Sequence, residues 1–304
     1  MKIHLLGALN GFGLEKDNEI LGKALKSLGH EVTFSSFLRP KMADEEADLN
    51  IHMEAINEAY LENAPLNYFI PNPEWFIQDM DLLDKIDLMV CKTHEAERIF
   101  QELGYKTYYL GFTSEDCLQK NVKKDFRKLF HSKGLSNTKG SLELVRGWAQ
   151  YITRNLPHLT MTTFDGVDLD GPSLKVFGTK VPLKDYRHLQ NSCGIHLCPS
   201  HTEGFGHSIV EAMSVGAVVI TLDAPPMNEF ITRKECLVPI TKTLLLQLAT
   251  RYLYDVRQLI EIVENVVGWP EEKLMEIGQE NRVAYVKIDT AFHERLEKLI
   301  SRVH

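Results

Sequence analysis

Along the chain, short apolar runs alternate with longer stretches whose apolar positions recur every three or four residues. The runs predict strands and the stretches predict helices. Residues 2–6 read as a strand, 7–13 (GALNGFG) as a glycine loop and 16–28 as a helix. In that helix Ile20, Ala24, Leu25 and Leu28 share a face, and Gly29 stands where a helix C-terminus takes it. Further strands are expected over 31–37, 48–56, 66–70, 88–91 and 107–110, with a helix over 94–103 closed by Gly104. The pattern then restarts. Residues 125–131 lead into the loop SKGLSNTKG, followed by a helix over 141–155, strands over 160–164 and 174–176, and a helix over 184–191. A buried strand over 194–198, a glycine loop, a helix over 208–215 and a strand over 217–222 follow. From about residue 243 the chain reads as helical to its end, broken at Gly268-Trp269-Pro270.

Strands alternating with helices imply mostly parallel sheets covered on both faces. Two such arrays part between residues 111 and 122, and 304 residues suit two domains. Composition changes little in this picture. With 44% hydrophobic and 25% charged residues the chain is neither collagenous, nor a disulfide scaffold, nor disordered. The net charge of -8 argues against a nucleic-acid partner. The most basic stretch, KNVKKDFRK at 120–128, reads as a solvated helix face. The five cysteines are odd in number and form no CxxC, which disfavours disulfides and a zinc site and suits a reducing compartment. The N-terminal apolar run is too short for a signal peptide, and no run approaches the ~18 residues of a membrane span. A cytoplasmic protein is expected, with peripheral membrane contact left open.

Candidate chemistry concentrates in residues 199–231, PSHTEGFGHSIVEAMSVGAVVITLDAPPMNEFI. Glu203 falls in a loop after a strand, and Glu211 on the helix that follows. Gly204 and Gly206 let the backbone approach a ligand closely. His207 and Ser208 open the helix, whose N–H groups and dipole favour an anion. An anion site flanked by two carboxylates suits a molecule with both phosphates and hydroxyls.

The segment PS-x-x-EGFG-x-x-x-x-EAM-x-x-G, with Asn228-Glu229 beyond it, resembles the signature of retaining GT-B glycosyltransferases of family 4. SNTKG (136–140) resembles that family's phosphate-binding loop, and VFGTKV (176–181) the stretch before its base-binding loop, which adds Val181 to the donor side. Many relatives carry an arginine five positions before the loop lysine; here Gly134 stands there, and the adjacent Lys133 is the candidate substitute. The resemblance implies an α/β GT-B fold: two Rossmann-like βαβ domains facing each other across a cleft, with the C-terminal helix crossing back. The corresponding domains are 1–115 on the acceptor side, 116–270 for the nucleotide sugar, and 271–304 as helices packing on the first domain. In the last segment Leu274, Ile277, Val283, Val286, Phe292, Leu296 and Ile300 form the apolar stripe.

It further implies transfer of a sugar from a nucleotide-diphosphate donor with retention and without a metal cofactor. Glu211 would bind the ribose. Glu203, with the backbone of Gly204, Phe205 and Gly206, would hold the transferred sugar. Lys139, with Lys133, would neutralise the leaving diphosphate. Asn10, Gly11 and Gly13 match the place of a glycine turn facing the diphosphate or acceptor, and His52 that of a histidine beside the donor sugar. Asn72, Glu74 and Trp75 are placed to line an acceptor cleft, with Trp75 equally readable as core. Thr113, Ser114 and Asp116 read as a helix cap. Asp79-Met80-Asp81 and Asp168-Leu169-Asp170 have the spacing of a metal site without the family context. The acceptor stays open among glycan, lipid-linked sugar, metabolite, protein and nucleic-acid base. The rival readings are a nucleotide-sugar epimerase of the same fold and a silent nucleotide-sugar-binding module.

Overall fold

A computed structural model describes residues 1–8, 13–36, 46–77, 79–134, 136–163 and 165–303. The chain divides into two compact units. The first consists of Met1–Thr113, Leu245–Ala249 and Ile288–His304, the second of Ser114–Leu244 and Thr250–Lys287.

The first unit is built on six strands: β1 (Lys2–Gly7), β2 (Glu31–Ser36), β3 (Leu49–Met53), β4 (Asn67–Ile70), β5 (Leu88–Cys91) and β6 (Thr107–Tyr109). They form one parallel sheet in the order β2-β1-β3-β4-β5-β6. Its central strands are buried throughout. Leu49, Ile51 and Met53 alternate in the sequence as a half-exposed strand would, yet Asn50 and His52 between them are buried too. Helix α1 (Gly13–Ser27) buries Leu21, Ala24 and Leu25; α2 (His94–Glu102) buries Ala96, Ile99 and Phe100. The hydroxyl of Thr93 caps α2 by accepting from the Ala96 N–H at 3.1 Å. Phe69, Phe76 and Phe100 pack tilted or edge to face, with centroids 6.4–6.5 Å apart.

The second unit holds β7 (Asp125–Ser132), β8 (His158–Thr162), β9 (Leu169–Asp170), β10 (Leu174–Phe177), β11 (Cys193–Cys198), β12 (Val218–Leu222) and β13 (Leu237–Val238). Their order is β13-β12-β11-β7-β8-β10-β9, parallel except for the short β9 against β10. Helices α3 (Ser141–Gln150), α4 (Leu183–Ser192), α5 (His207–Ser214), α6 (Met227–Phe230) and α7 (Val256–Val267) accompany it. The ends expected at Phe37 and Phe164 lie outside the described residues.

Three expectations are corrected. Residues 243–255 are not helical: β14 (Ile240–Leu246) and β15 (Ala249–Tyr254) form a two-stranded hairpin turned by Gln247, whose φ is 55°. Threonines and tyrosines around the leucine run favour strand, and Ala249 and Tyr252 supply the buried positions. The basic stretch 120–128 is a turn entering β7, with Arg127 and Lys128 exposed on the strand. In α8 (Glu271–Ile300) Val283 and Val286 are exposed. The buried face runs instead through Leu274, Ile277, Tyr285, Phe292, Leu296 and Ile300. Gly278 and Asn281 continue it: a Cβ on Gly278 would lie 2.3 Å from the Gly216 carbonyl, and the Asn281 amide donates to Ala217 O at 2.8 Å.

Candidate functional site

In the second unit the ends of β7 and β11 carry two loops that lock together. Gly140 caps α3 with φ 69°, and a Cβ there would lie 2.4 Å from the Pro199 carbonyl, so only glycine permits this approach. The His201 N–H donates to Thr138 O at 2.7 Å. Across this junction the Lys139 ammonium meets Glu203 Oε1 at 2.5 Å, both side chains largely shielded. After Glu203 the chain turns through Gly206, at φ 111°, into α5. The first N–H groups of that helix project from its end, and its dipole adds positive potential.

Glu211 lies on α5 at 2% exposure. Its Oε2 accepts from Gln190 Nε2 at 2.8 Å and lies 3.6 Å from Arg187 Nη1. The same guanidinium donates to Gln190 Oε1 at 2.7 Å and pairs with Glu115. The Cys198 thiol, at the end of β11, feels both carboxylates. Burial, then Glu203 and Glu211, push its pKa up to about 12 against the opposing pull of Lys139 and Ser208. One strand end therefore gathers Glu203, Glu211, Lys139 and Ser208. Beside it, burial with Lys139 and Lys133 nearby lowers His131 to about 4. Neutral His131 donates from Nδ1 to Leu197 O at 2.8 Å and accepts from the Ser141 hydroxyl at 2.6 Å, joining β7, β11 and α3.

Lys133 is mostly buried and pairs with Asp165. Phe205 is buried edge-on to Phe230, which leaves only its backbone and that of Gly204 for a ligand. His207 bonds the Ser114 hydroxyl through Nδ1 at 2.7 Å. Val181 is half-buried between β10 and α4. In the first unit Gly13 begins α1, while Asn10 and Gly11 lie outside the described residues.

His52 lies near the end of β3. It is fully buried in the first unit; its Nδ1 accepts from the Asn57 N–H at 3.2 Å and its Nε2 donates to Asn67 Oδ1 at 3.2 Å. Both ring nitrogens bind the fold, and burial lowers the pKa to about 4. Thr113, Ser114 and Asp116 begin no helix: they bond Asp289, His207 and Arg282 respectively. Asp79 caps a 3-10 turn through the Asp81 N–H, Asp168 accepts from the Gly178 N–H, and Asp170 pairs with Lys175.

Sequence reasoning missed two groups. Arg187 and Gln190 lie one turn apart on α4, a largely polar helix whose sequence gives no sign that Gln190 and Asn191 are buried. Arg251 on β15 donates to His201 Nδ1 at 3.2 Å, and His201 Nε2 lies 3.6 Å from Glu143. That group was hidden by the helical reading of the hairpin.

A family model described as glycosyl transferases group 1 matches residues 173–255, from β10 through the hairpin. No curated protein sequence matches the chain significantly. Among solved structures, the GtfA/B complex aligns with TM-score 0.62 at 16% identity, over 85% of this chain and 58% of that one. The pneumococcal O-GlcNAc transferase GtfA in complex with UDP and GlcNAc aligns with TM-score 0.57 at 17% identity, over 84% and 56%. The E. coli trehalose-6-phosphate protein bound with UDP-2-fluoro glucose aligns with TM-score 0.70 at 12% identity, over 100% and 99%. The chain thus spans under two thirds of the length of the two GtfA structures. The α/β fold with parallel sheets is that of the GT-B glycosyltransferases, as expected. Among the described residues no helix is long and apolar enough to cross a membrane.

Proposed function

We propose that the chain is a retaining glycosyltransferase of the family 4 type, moving a sugar from a nucleotide-diphosphate donor to a hydroxyl acceptor in the cytoplasm. The Lys139–Glu203 pair at 2.5 Å carries this reading. It sets a cation for a leaving diphosphate beside a carboxylate able to accept from sugar hydroxyls. The match of residues 173–255 to the glycosyl transferase model, and the nucleotides and sugars bound by two of the structural neighbours, support it.

In this mechanism the helix end and Lys139 bind the diphosphate, Glu203 holds the sugar, and Glu211 takes the ribose hydroxyls. The bond from anomeric carbon to phosphate oxygen breaks, and its electron pair stays on the diphosphate. Charge there peaks in the transition state, where Lys139 and the helix dipole act most strongly. The acceptor oxygen bonds the same face of the carbon, and its proton passes to the departing phosphate. Lys139 supplies the positive charge that a metal ion would otherwise provide, so the reaction is assigned no metal.

The test is incubation with a panel of nucleotide sugars, following nucleoside diphosphate and the sugar. Diphosphate release with the sugar transferred at retained configuration is expected. An epimerised nucleotide sugar without diphosphate release would assign the epimerase reading. Binding that raises thermal stability without turnover would leave a binding module.

A further inference from the structure

In the second unit one strand, β15, is tied to both loops that carry Lys139 and Glu203. The Tyr252 N–H donates to His201 O at 2.7 Å, and the Tyr254 hydroxyl reaches Gly140 O at 3.5 Å. The Arg251 guanidinium donates to His201 Nδ1 from Nη2 at 3.2 Å and from Nε at 3.4 Å. His201 in turn bonds the other loop, its own N–H donating to Thr138 O. Lys139 follows Thr138 directly, and Glu203 stands two residues beyond His201. His201 is thus the joint through which β15 reaches the Lys139–Glu203 pair.

The joint works only with a neutral imidazole. A guanidinium nitrogen donates and never accepts, so Nδ1 keeps its lone pair and the ring proton sits on Nε2, 3.6 Å from Glu143 Oε1. His201 is 1% exposed. A proton on Nδ1 would remove the acceptor and set an imidazolium against the guanidinium at hydrogen-bond distance, away from the screening of bulk water. Burial lowers the His201 pKa; Glu143 opposes that shift and Arg251 adds to it. Among the described residues the charged and titratable groups facing the ring are Glu143 from α3 and Arg251 and Tyr254 from β15, the Tyr254 ring lying 5.9 Å away. Burial and Glu143 raise Tyr254 well above its usual pKa, so it stays a neutral phenol. Lys139 and Glu203, next along the two loops, neutralise each other.

We propose that Arg251 is a positioning residue of the donor site: through the neutral His201 ring it holds the loops of Lys139 and Glu203 in the arrangement that takes the diphosphate and the sugar, and a proton on that ring releases it. The joint rests on the transferase reading and gives its donor site an acid limit. Donor affinity is full above the pKa of His201 in the folded chain and is lost as the pH falls through it.

The experiment uses the full chain with UDP-, GDP- and ADP-glucose, whose diphosphates, esterified at both ends, carry no proton that titrates near about pH 6. Affinity is measured by calorimetry at about pH 8 and pH 5. The native chain should bind its nucleotide sugar less tightly at the lower pH. Arg251→Met should bind it about three- to tenfold more weakly than the native chain at the higher pH, with little further fall in acid. His201→Gln, whose amide oxygen accepts from Arg251 and takes up no proton, should keep the native affinity at both. Arg251→Lys, with one donor group left, should lie between the native chain and Arg251→Met. Native affinity in Arg251→Met, or an acid fall in His201→Gln equal to the native one, would overturn the assignment. A histidine NMR titration of the same proteins reads the joint without any donor: the His201 pKa should rise in Arg251→Met, and an unchanged value would remove the joint. If no nucleotide sugar binds while that pKa rises, the transferase reading is lost and the joint between the loops remains. If Arg251→Met binds nucleotide sugar as the native chain does, the positioning role is lost and the transferase reading remains.

Discussion

Glu211 has its carboxylate held by Gln190 and faced by Arg187 before any ligand arrives. A ribose hydroxyl bound there, as proposed, would meet an acceptor already oriented. Glu211→Ala should therefore weaken nucleoside diphosphate binding by roughly 1.5–3 kcal/mol, measured by calorimetry; unchanged affinity would remove Glu211 from the donor site. Lys139→Ala should lower kcat far more than donor affinity, because the charge it meets is largest in the transition state. Gly140→Ala faces both the Pro199 carbonyl and a positive φ, and should cost about 1–3 kcal/mol of stability in urea unfolding. At this scale Glu203, Lys139 and Glu211 stand out in the sequence as candidates because glycines and a strand–loop–helix order surround them. The Glu211 partners Arg187 and Gln190, and Arg251 beside His201, were not legible, since a polar residue on a helix or strand declares no partner until the chain folds. The bonds of His52 to Asn57 and Asn67 were not legible either, because a strand-end histidine in a sequence does not reveal what its nitrogens meet.

Among the elements, the strands were the easiest to read, because a buried parallel strand is a short, mostly apolar run set between turn residues. The hairpin of β14 and β15 was not, since leucines fit helix and strand alike and Gln247 is no conventional turn residue. In α8, apolar identity alone pointed to Val283 and Val286, while the packed face uses a glycine for close approach and an asparagine for a bond. Beyond Ile288 that helix belongs to the first unit, where Phe292 meets Phe112 edge to face at 5.1 Å. Phe292→Ala should destabilise the chain by about 3–5 kcal/mol, read from the urea midpoint. A chain ending at Gly268 should lose solubility, since Phe112 would lose this cover. A monomeric, well-folded truncation would show that α8 is dispensable to the first unit.

For the molecule as a whole, His52, His131 and His196, three of the buried histidines, add to the fold's sensitivity to acid. Burial lowers His52 and His131 to about 4 and His196 to about 3. Each folded value lies below the unfolded one, so the unfolded chain binds the extra proton. Their contribution is complete above the unfolded pKa and is lost as the pH falls from there toward the folded values. Between pH 7 and pH 5 each should remove roughly 2 kcal/mol. His52→Gln should show a smaller loss than the native chain over that interval in urea unfolding; an equal loss would mean that His52 does not titrate there.

All five cysteines are reduced and buried. Burial raises the thiols of Cys193, Cys198 and Cys236 to about 11, 12 and 12, and that of Cys91 well above its usual range. Cys117 differs, since its sulfur accepts from the Arg187 guanidinium at 2.8 Å. A disulfide reagent at neutral pH should find no thiolate at the other four in the native state and react with them only as fast as the chain opens. With Cys117 replaced by serine, the native molecule would be a blank background: a single cysteine placed at an exposed position would carry a dye or spin label alone, and the slow reaction of the four buried thiols would time the opening of each core.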